Sequence, residues 1–345
     1  MKKIRILSVD GGGIRGIIPG TILAQLEKIL QRRSNSERKL GEYFDLVAGT
    51  STGGILSCIY LMPGDDGKAK YSAQDAVDLY IKNGEAIFDR TTAQKISSVD
   101  GILHQKYSQD ALYELLTTYF ADATLDKLIR PSLITAYDIT DRCAIFFTSA
   151  DARIDAIYNY YVRDVARATS AAPTYFSPAH IESMNKQIFS LVDGGMFANN
   201  PALCAYAEAR KINFSKLFND PQKKDKPTAA DMIIVSMGTG SVKKRYHYDD
   251  FKRAGEIKWL EPVIDILMSG NSETVAYQLT QMYLTLEPEN QKNYYRLEPS
   301  LKEACSEMDE ATPENIGNLY QAGLTFVREE KEMLEEIAQK ILDND

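Results

Sequence analysis

The stretch Asp45-Leu46-Val47-Ala48-Gly49-Thr50-Ser51-Thr52-Gly53-Gly54 decides how this chain folds. An apolar run, Leu46 to Ala48, stops at Gly49, and a new apolar segment, Ile55 to Ile59, begins directly after the second pair of glycines. That pattern reads as strand, sharp turn, helix. A serine at the top of such a turn projects its hydroxyl away from the sheet, and the flanking glycines leave room where a side chain would strike neighbouring backbone. Ser51 is therefore a candidate nucleophile. The five-residue pattern alone describes a glycine-rich strand-to-helix loop equally well, so its partners must decide.

Upstream, residues 4 to 9 are β-rich and end in Asp10-Gly11-Gly12-Gly13, after which Ile14 to Leu30 carries apolar groups at helical spacing. The first ~60 residues thus form a β-α-β-α unit and predict a parallel sheet covered by helices on both faces. Downstream, strands are predicted at Ser132 to Tyr137, Ala144 to Thr148, Ile188 to Val192 and Met232 to Ser236. The third runs into Asp193-Gly194-Gly195 and the fourth into Gly238-Thr239-Gly240. A helix is predicted from Asn199-Asn200-Pro201, with proline suited to the first turn.

Three glycine-bearing motifs thus follow strands, at 10–16, 49–53 and 193–195. In an open α/β sheet the C-terminal strand ends share the edge where ligands bind, so the three are expected to converge. The first also fits Gly-x-Gly-x-x-Gly through Gly11, Gly13 and Gly16. A dinucleotide site would need an acidic residue ~20 positions on, at the end of the second strand. That region is instead helix and the polar run Gln31 to Lys39, and the next strand ends in the serine turn. The alternative use of adjacent glycines before a helix is to aim backbone N–H groups at a developing oxyanion. Arg15 either adds positive charge there or pairs at the surface.

A serine hydroxyl needs a base. The histidines are His104, His180 and His247; a Ser51–Asp193–His247 triad in hydrolase order is the alternative they offer, although none stands beside a strand-ending glycine motif. Asp193 does, with two glycines leaving space around its carboxylate, and partial burial raises the basicity of such a group.

Forty basic against 48 acidic residues give a net charge of −8, which argues against a nucleic acid polymer as partner. Cys58, Cys143, Cys204 and Cys305 are widely spaced and suggest neither a zinc site nor a disulfide framework. Asp10 and Arg5 cut short any signal-peptide core, and no apolar run of ~18 residues spans a membrane. Residues 84 to 108 lose periodicity and read as a surface insertion or lid. After residue 245 the chain turns helical and charged, at Ile257 to Met268, Val275 to Leu284 and Ile316 to Leu342. A core over 1–245 and a helical C-terminal extension over 246–345 packed on it are the expected organisation.

Asp-Gly-Gly-Gly-Ile-Arg-Gly at 10–16, Gly-Thr-Ser-Thr-Gly at 49–53 and Asp-Gly-Gly at 193–195, in that order, resemble the patatin-like phospholipase family. So do residues 166–176 and Gly238-Thr239-Gly240, and the likeness covers roughly 3–245. It implies a three-layer α/β/α fold with a mostly parallel central sheet and a lipid acyl hydrolase that works through a serine–aspartate dyad without metal or cofactor. Carried across, Ser51 is the nucleophile, Asp193 the base, Gly11, Gly12 and Gly13 the oxyanion loop, and Arg15 the family's basic position. The substrates implied are fatty-acyl esters of phospholipids or galactolipids, met at a membrane surface by a cytoplasmic protein. Similar bacterial proteins include phospholipase effectors switched on by cyclic nucleotides in anti-phage defence. A cyclic-nucleotide activator, a homo-oligomer, or a non-catalytic sensor on the same fold are accordingly the alternative expectations.

Overall fold

The computed structural model describes residues 1–88, 109–241 and 245–345. Its centre is an eight-stranded sheet: β1 (Ile4–Val9), β2 (Leu46–Gly49), β3 (Ser132–Asp138), β4 (Cys143–Thr148), β5 (Ala179–Glu182), β6 (Ile188–Asp193), β7 (Met232–Met237) and β8 (Tyr294–Leu297). The order across the sheet is β5-β6-β3-β2-β1-β7-β8, with β4 paired to β3. The pairs β1/β2, β1/β7, β2/β3 and β7/β8 are parallel, whereas β3/β4, β3/β6 and β5/β6 are antiparallel.

Every residue of β1 is buried, as a strand with helices on both sides requires. Its alternation assigns the layers: Leu7 and Val9 point into one core cluster, Ile4 and Ile6 into the other. The first cluster is filled by α1 (Ile17–Ser34), α2 (Thr52–Leu61), α3 (Ala73–Ile87), α4 (Gln109–Phe120) and α5 (Val162–Thr169). The opposite face is covered by α7 (Ala202–Ala209), which follows the single turn α6 (Gly195–Ala198), and by the long helix α8 (Glu256–Leu284). The expected three-layer α/β/α arrangement is the observed one.

Three features differ from the sequence reading. First, Val275, Leu279 and Tyr283 anchor one continuous helix of 29 residues where two are predicted, because their burial outweighs the ~1 kcal/mol that Gly270 costs a helix interior. Second, the region beyond 245 has the helical character expected, in α8, α9 (Pro313–Glu329) and α10 (Lys331–Leu342), yet it also supplies β8 to the sheet. Third, of the segment read as an insertion or lid, Gly84 to Ile87 complete α3, and 89–108 lie outside the described residues. Among the described residues no helix is long and apolar enough to cross a membrane.

Candidate active site

The elbow forms where the chain leaves β2. Ser51 takes φ 54° and ψ −124°, a conformation costly for a residue with a side chain, and it caps the N-terminus of α2. Close backbone approach makes the turn dependent on glycine: a Cβ on Gly53 would lie 2.1 Å from the Val9 carbonyl oxygen, and one on Gly49 2.2 Å from that of Gly53. The strain is held by bonds on either side. The Ser51 N–H donates to Thr169 Oγ1 at 2.8 Å, and the Thr50 hydroxyl lies 2.6 Å from the Ala198 carbonyl oxygen.

Asp193 reaches this turn by a route the sequence does not suggest. Its strand runs antiparallel to β3, so the expectation that all three motifs end parallel strands does not hold for β6. The register supplies the convergence instead: Gly49 pairs with Ile134, and Ala136, two residues further along β3, pairs with Asp193. β3 therefore overshoots β2, and β6 returns along it to stop beside the serine. The Ser51 hydroxyl donates to Asp193 Oδ2 at 2.6 Å, and the Gly195 N–H donates to Oδ1 at 2.7 Å. Among the described residues no lysine, arginine or histidine stands within salt-bridge distance of this buried carboxylate. Burial pushes its pKa up from 3.8 to about 6, against the lowering effect of those two hydrogen bonds.

The loop after β1 completes the constellation. The Asp10 N–H donates to the Met237 carbonyl, Gly11 to Asn199 and Ile14 to Met308, at 2.9, 3.1 and 2.9 Å. That accounting leaves the Gly12 and Gly13 N–H groups without an acceptor among the described residues. Gly11 contributes space rather than a donor, since a Cβ there would lie 2.4 Å from Asn199 Oδ1 and 3.2 Å from Ser51 Cβ. Gly13 has φ +59° and sits against the Met308 carbonyl, which a Cβ would approach to 2.1 Å. Arg15 turns aside from the serine: Nε donates to the Gly12 carbonyl at 3.3 Å, and the side chain lines a neighbouring polar groove with Thr239, Asp265 and Arg296.

Ser51 and Asp193 open into a pocket walled by apolar side chains such as Ile55, Leu79, Phe176, Ile264 and Met268. That apolar lining suits an acyl chain. The histidines are elsewhere. His180 is exposed on β5 with Nδ1 3.3 Å from Ser190 Oγ, His247 is exposed before a short helix at Tyr248–Phe251, and His104 lies outside the described residues.

Several supporting residues carry no motif in the sequence. Arg296 on β8 holds Asp10 with two bonds, at 3.0 and 2.7 Å, and so ties the glycine loop to the C-terminal region. Met308 braces the same loop, and Asn199 receives the Gly11 N–H. Thr169 alone lay within a stretch marked by resemblance.

The family described as Patatin-like phospholipase matches residues 7–206. Patatin-like protein 2 of Oryza sativa subsp. indica is 33% identical over 344 residues, covering 94% of this chain and 83% of that protein. Patatin-like protein 1 of Arabidopsis thaliana is 34% identical over 336 residues, covering 93% and 80%. Patatin group D-2 of Solanum tuberosum is 29% identical over 350 residues, covering 95% and 84%. Among solved structures, VipD from Legionella pneumophila aligns at 12% identity with a TM-score of 0.39, covering 95% of this chain and 67% of that one.

Proposed function

This chain belongs to the patatin-like phospholipase family, and we propose that it is a lipid acyl hydrolase of the phospholipase A type, working through Ser51 and Asp193 and an acyl-enzyme. The observation that carries the reading is the 2.6 Å bond from a strained, cavity-facing serine hydroxyl to a buried carboxylate with no cation beside it among the described residues.

The chemistry follows from the partners of each atom. Asp193 Oδ2 accepts the hydroxyl proton as Ser51 Oγ attacks the ester carbonyl, while the Gly195 N–H keeps the carboxylate oriented. Its raised pKa of about 6 makes it a stronger base than a solvated aspartate and leaves it ionised at neutral pH. The N–H groups of Gly12 and Gly13 receive the charge that develops on the carbonyl oxygen, and the N-terminus of α2 adds its dipole. Collapse of the tetrahedral intermediate passes the proton from Asp193 to the departing alcohol. Water then attacks the acyl-enzyme, giving its proton to the same carboxylate, and the fatty acid leaves with Ser51 restored. No histidine is needed, because the base bonds the nucleophile directly. The apolar cavity favours a fatty-acyl ester of a phospholipid or galactolipid over a polar ester.

Fluorophosphonate labelling of the full chain tests this reading. Wild-type protein is expected to be labelled at Ser51 and to release fatty acid from mixed phospholipid–galactolipid micelles, and Ser51→Ala to do neither. Wild-type protein that resists the probe under every condition would favour a non-catalytic module, and labelling that appears only with added cyclic nucleotides would favour a regulated effector.

A further inference from the structure

Helix α8 is apolar on two faces. With about 100° between successive residues, one side carries Ile264 and Met268, which wall the Ser51 cavity, and then Val275, Leu279 and Tyr283, which enter the second core cluster. The other side carries Trp259, Val263, Ile266, Leu267, Tyr277 and Leu284. These fall within an arc of about 100°, and all are exposed, from 37% for Trp259 to 67% for Tyr277. A surface helix ordinarily turns a polar face to water. Trp259, Val263, Ile266 and Leu267 form a cluster about 12 Å long at the N-terminal half of the helix, and Gly270, Thr274 and Gln281 share the arc and separate it from Tyr277 and Leu284.

Two further observations say what covers it. The N-terminal half of the helix overhangs the cavity, so Val263 and Leu267 are next in sequence to the wall residues Ile264 and Met268. Exposed cations and aromatic rings gather at the same end. Arg245, Lys252, Arg253 and Lys258 are exposed, and Phe251 packs between Tyr246 at 5.5 Å and Trp259 at 4.8 Å. Over residues 245–267, which include the patch, four basic residues stand against five acidic ones, and Lys252 pairs with Asp249 at 2.7 Å, so charge there is near balance in a chain of net charge −8.

We propose that the outer face of α8 docks on a phospholipid bilayer, with Trp259 at headgroup depth and Val263, Ile266 and Leu267 in the acyl boundary. The inference rests on the lipid acyl hydrolase reading and adds the surface through which such an enzyme meets its substrate. A helix lying flat by this face brings the cavity beside it against the membrane, so an acyl chain enters without crossing water. Tryptophan and aliphatic groups flanked by lysine and arginine, beside the mouth of an acyl-binding pocket, mark an interfacial helix; tryptophan and arginine are enriched in protein–protein interfaces as well, and oligomeric state separates the two.

Trp259 is the only tryptophan in the chain, so its fluorescence reports this patch alone. Full-length Ser51→Ala protein, mixed with phosphatidylcholine vesicles containing phosphatidylglycerol, is expected to sediment with them while its emission moves to shorter wavelength. Adding Ile266→Asp should weaken vesicle binding by about tenfold or more, the loss expected when a side chain of that size no longer enters an apolar phase. Ile266→Asp in the active protein should keep the thermal midpoint and hydrolyse a soluble short-chain ester within about twofold of wild type, as an exposed substitution does. Unshifted emission without sedimentation overturns the proposal, as does binding indifferent to Ile266→Asp. A dimer in buffer that Ile266→Asp dissociates overturns it in favour of a second copy of the chain. Vesicle binding needs no catalysis, so binding without any ester hydrolysis by the wild type counts against the hydrolase reading and leaves the docking face standing.

Discussion

Asp45 and Asp193 are both almost wholly buried, 1% and 3% exposed, near opposite ends of β2, and their surroundings drive them in opposite directions. Asp45 precedes the strand and is surrounded by donors. Arg5 Nη2 reaches Oδ1 at 3.0 Å and Nε reaches Oδ2 at 3.1 Å, and Lys223 Nζ adds a third contact to Oδ2 at 2.8 Å. Burial alone would raise its pKa, but the two cations outweigh that and hold it below 3.8. Asp193, beyond the other end of the strand, has a hydroxyl and one backbone N–H, so burial wins and the pKa rises to about 6. The cations around Asp45 keep it ionised, whereas burial brings Asp193 into the range where a carboxylate can take a proton, at some cost to the fold.

The largest expected effect breaks the comparison at Asp193. Asp193→Asn should lower fatty-acid release by a factor on the order of 10⁴, the scale of removing a group that orients or accepts the serine proton. Near-normal release would end the dyad assignment and bring His247 back as a base. The same variant should be more stable than wild type at pH 8. Because the native pKa lies above the unfolded value, the folded chain binds more protons than the unfolded one between pH 3.8 and about 6, so this group's contribution falls as pH rises through that window. The cost above it is on the order of 3 kcal/mol. Calorimetry at pH 5 and pH 8 should show the variant's advantage growing with pH. Wild-type activity should rise across the same interval, as the base ionises.

Asp45→Asn should do the reverse. It leaves Arg5 and Lys223 buried with their shared counter-charge removed, which costs about 3–5 kcal/mol. Denaturant unfolding should show the loss, while the protein still folded keeps a turnover close to wild type. A variant that lost turnover and kept stability would show that the two ends of β2 do not divide the work this way.

How much of this was legible in the sequence depends on whether the signal was local. The elbow, the glycine loop and Asp193 announce themselves because close packing at turns demands particular residues at particular neighbouring positions. Their meeting was legible as well, although for the wrong reason, since the antiparallel direction of β6 is a property of pairing that no short pattern records. Arg296 was not legible: it lies 286 residues from Asp10, on a strand within a stretch of otherwise helical character. Arg5 was visible only as a charge interrupting an apolar strand, and its partners lie 40 and 340 residues away. The resemblance to a known family supplied the aspartate's role, which residue pattern alone left beside several histidines.

A third test returns to the active end. Gly13→Ala places a side chain at φ +59° against the Met308 carbonyl, so the loop must shift and carry the Gly12 and Gly13 N–H groups out of position. Loss of a single oxyanion donor costs on the order of 10² to 10³ in rate. The fall should appear in kcat with little change in KM, because the donor is needed only once charge has developed. A change confined to KM would place Gly13 in substrate binding instead.

The smallest effect tests the limit of the structural end, where Asp345 closes the network from outside. Its carboxylate takes Arg5 Nη1 at 2.7 Å and also pairs with Arg38, and it is 28% exposed where Asp45 is buried. Burial opposes the ionised form, but hydrogen bonds from Arg38 and Arg5 prevail and bring the pKa down to about 2. Its native pKa lies below the unfolded value, so its stabilisation is complete above pH 3.8 and is lost as pH falls through about 2. Water and salt reach this pair, so Asp345→Asn should cost only about 0.5–1 kcal/mol at neutral pH. Half-molar salt should shrink that cost and leave the cost of Asp45→Asn nearly intact, because screening acts on exposed charges far more than on buried ones. Both aspartates hold the same guanidinium, so the double variant should depart from additivity, as residues sharing a partner do. Strict additivity would mean that Arg5 serves Asp45 alone and that Asp345 adds nothing to the closure of this end.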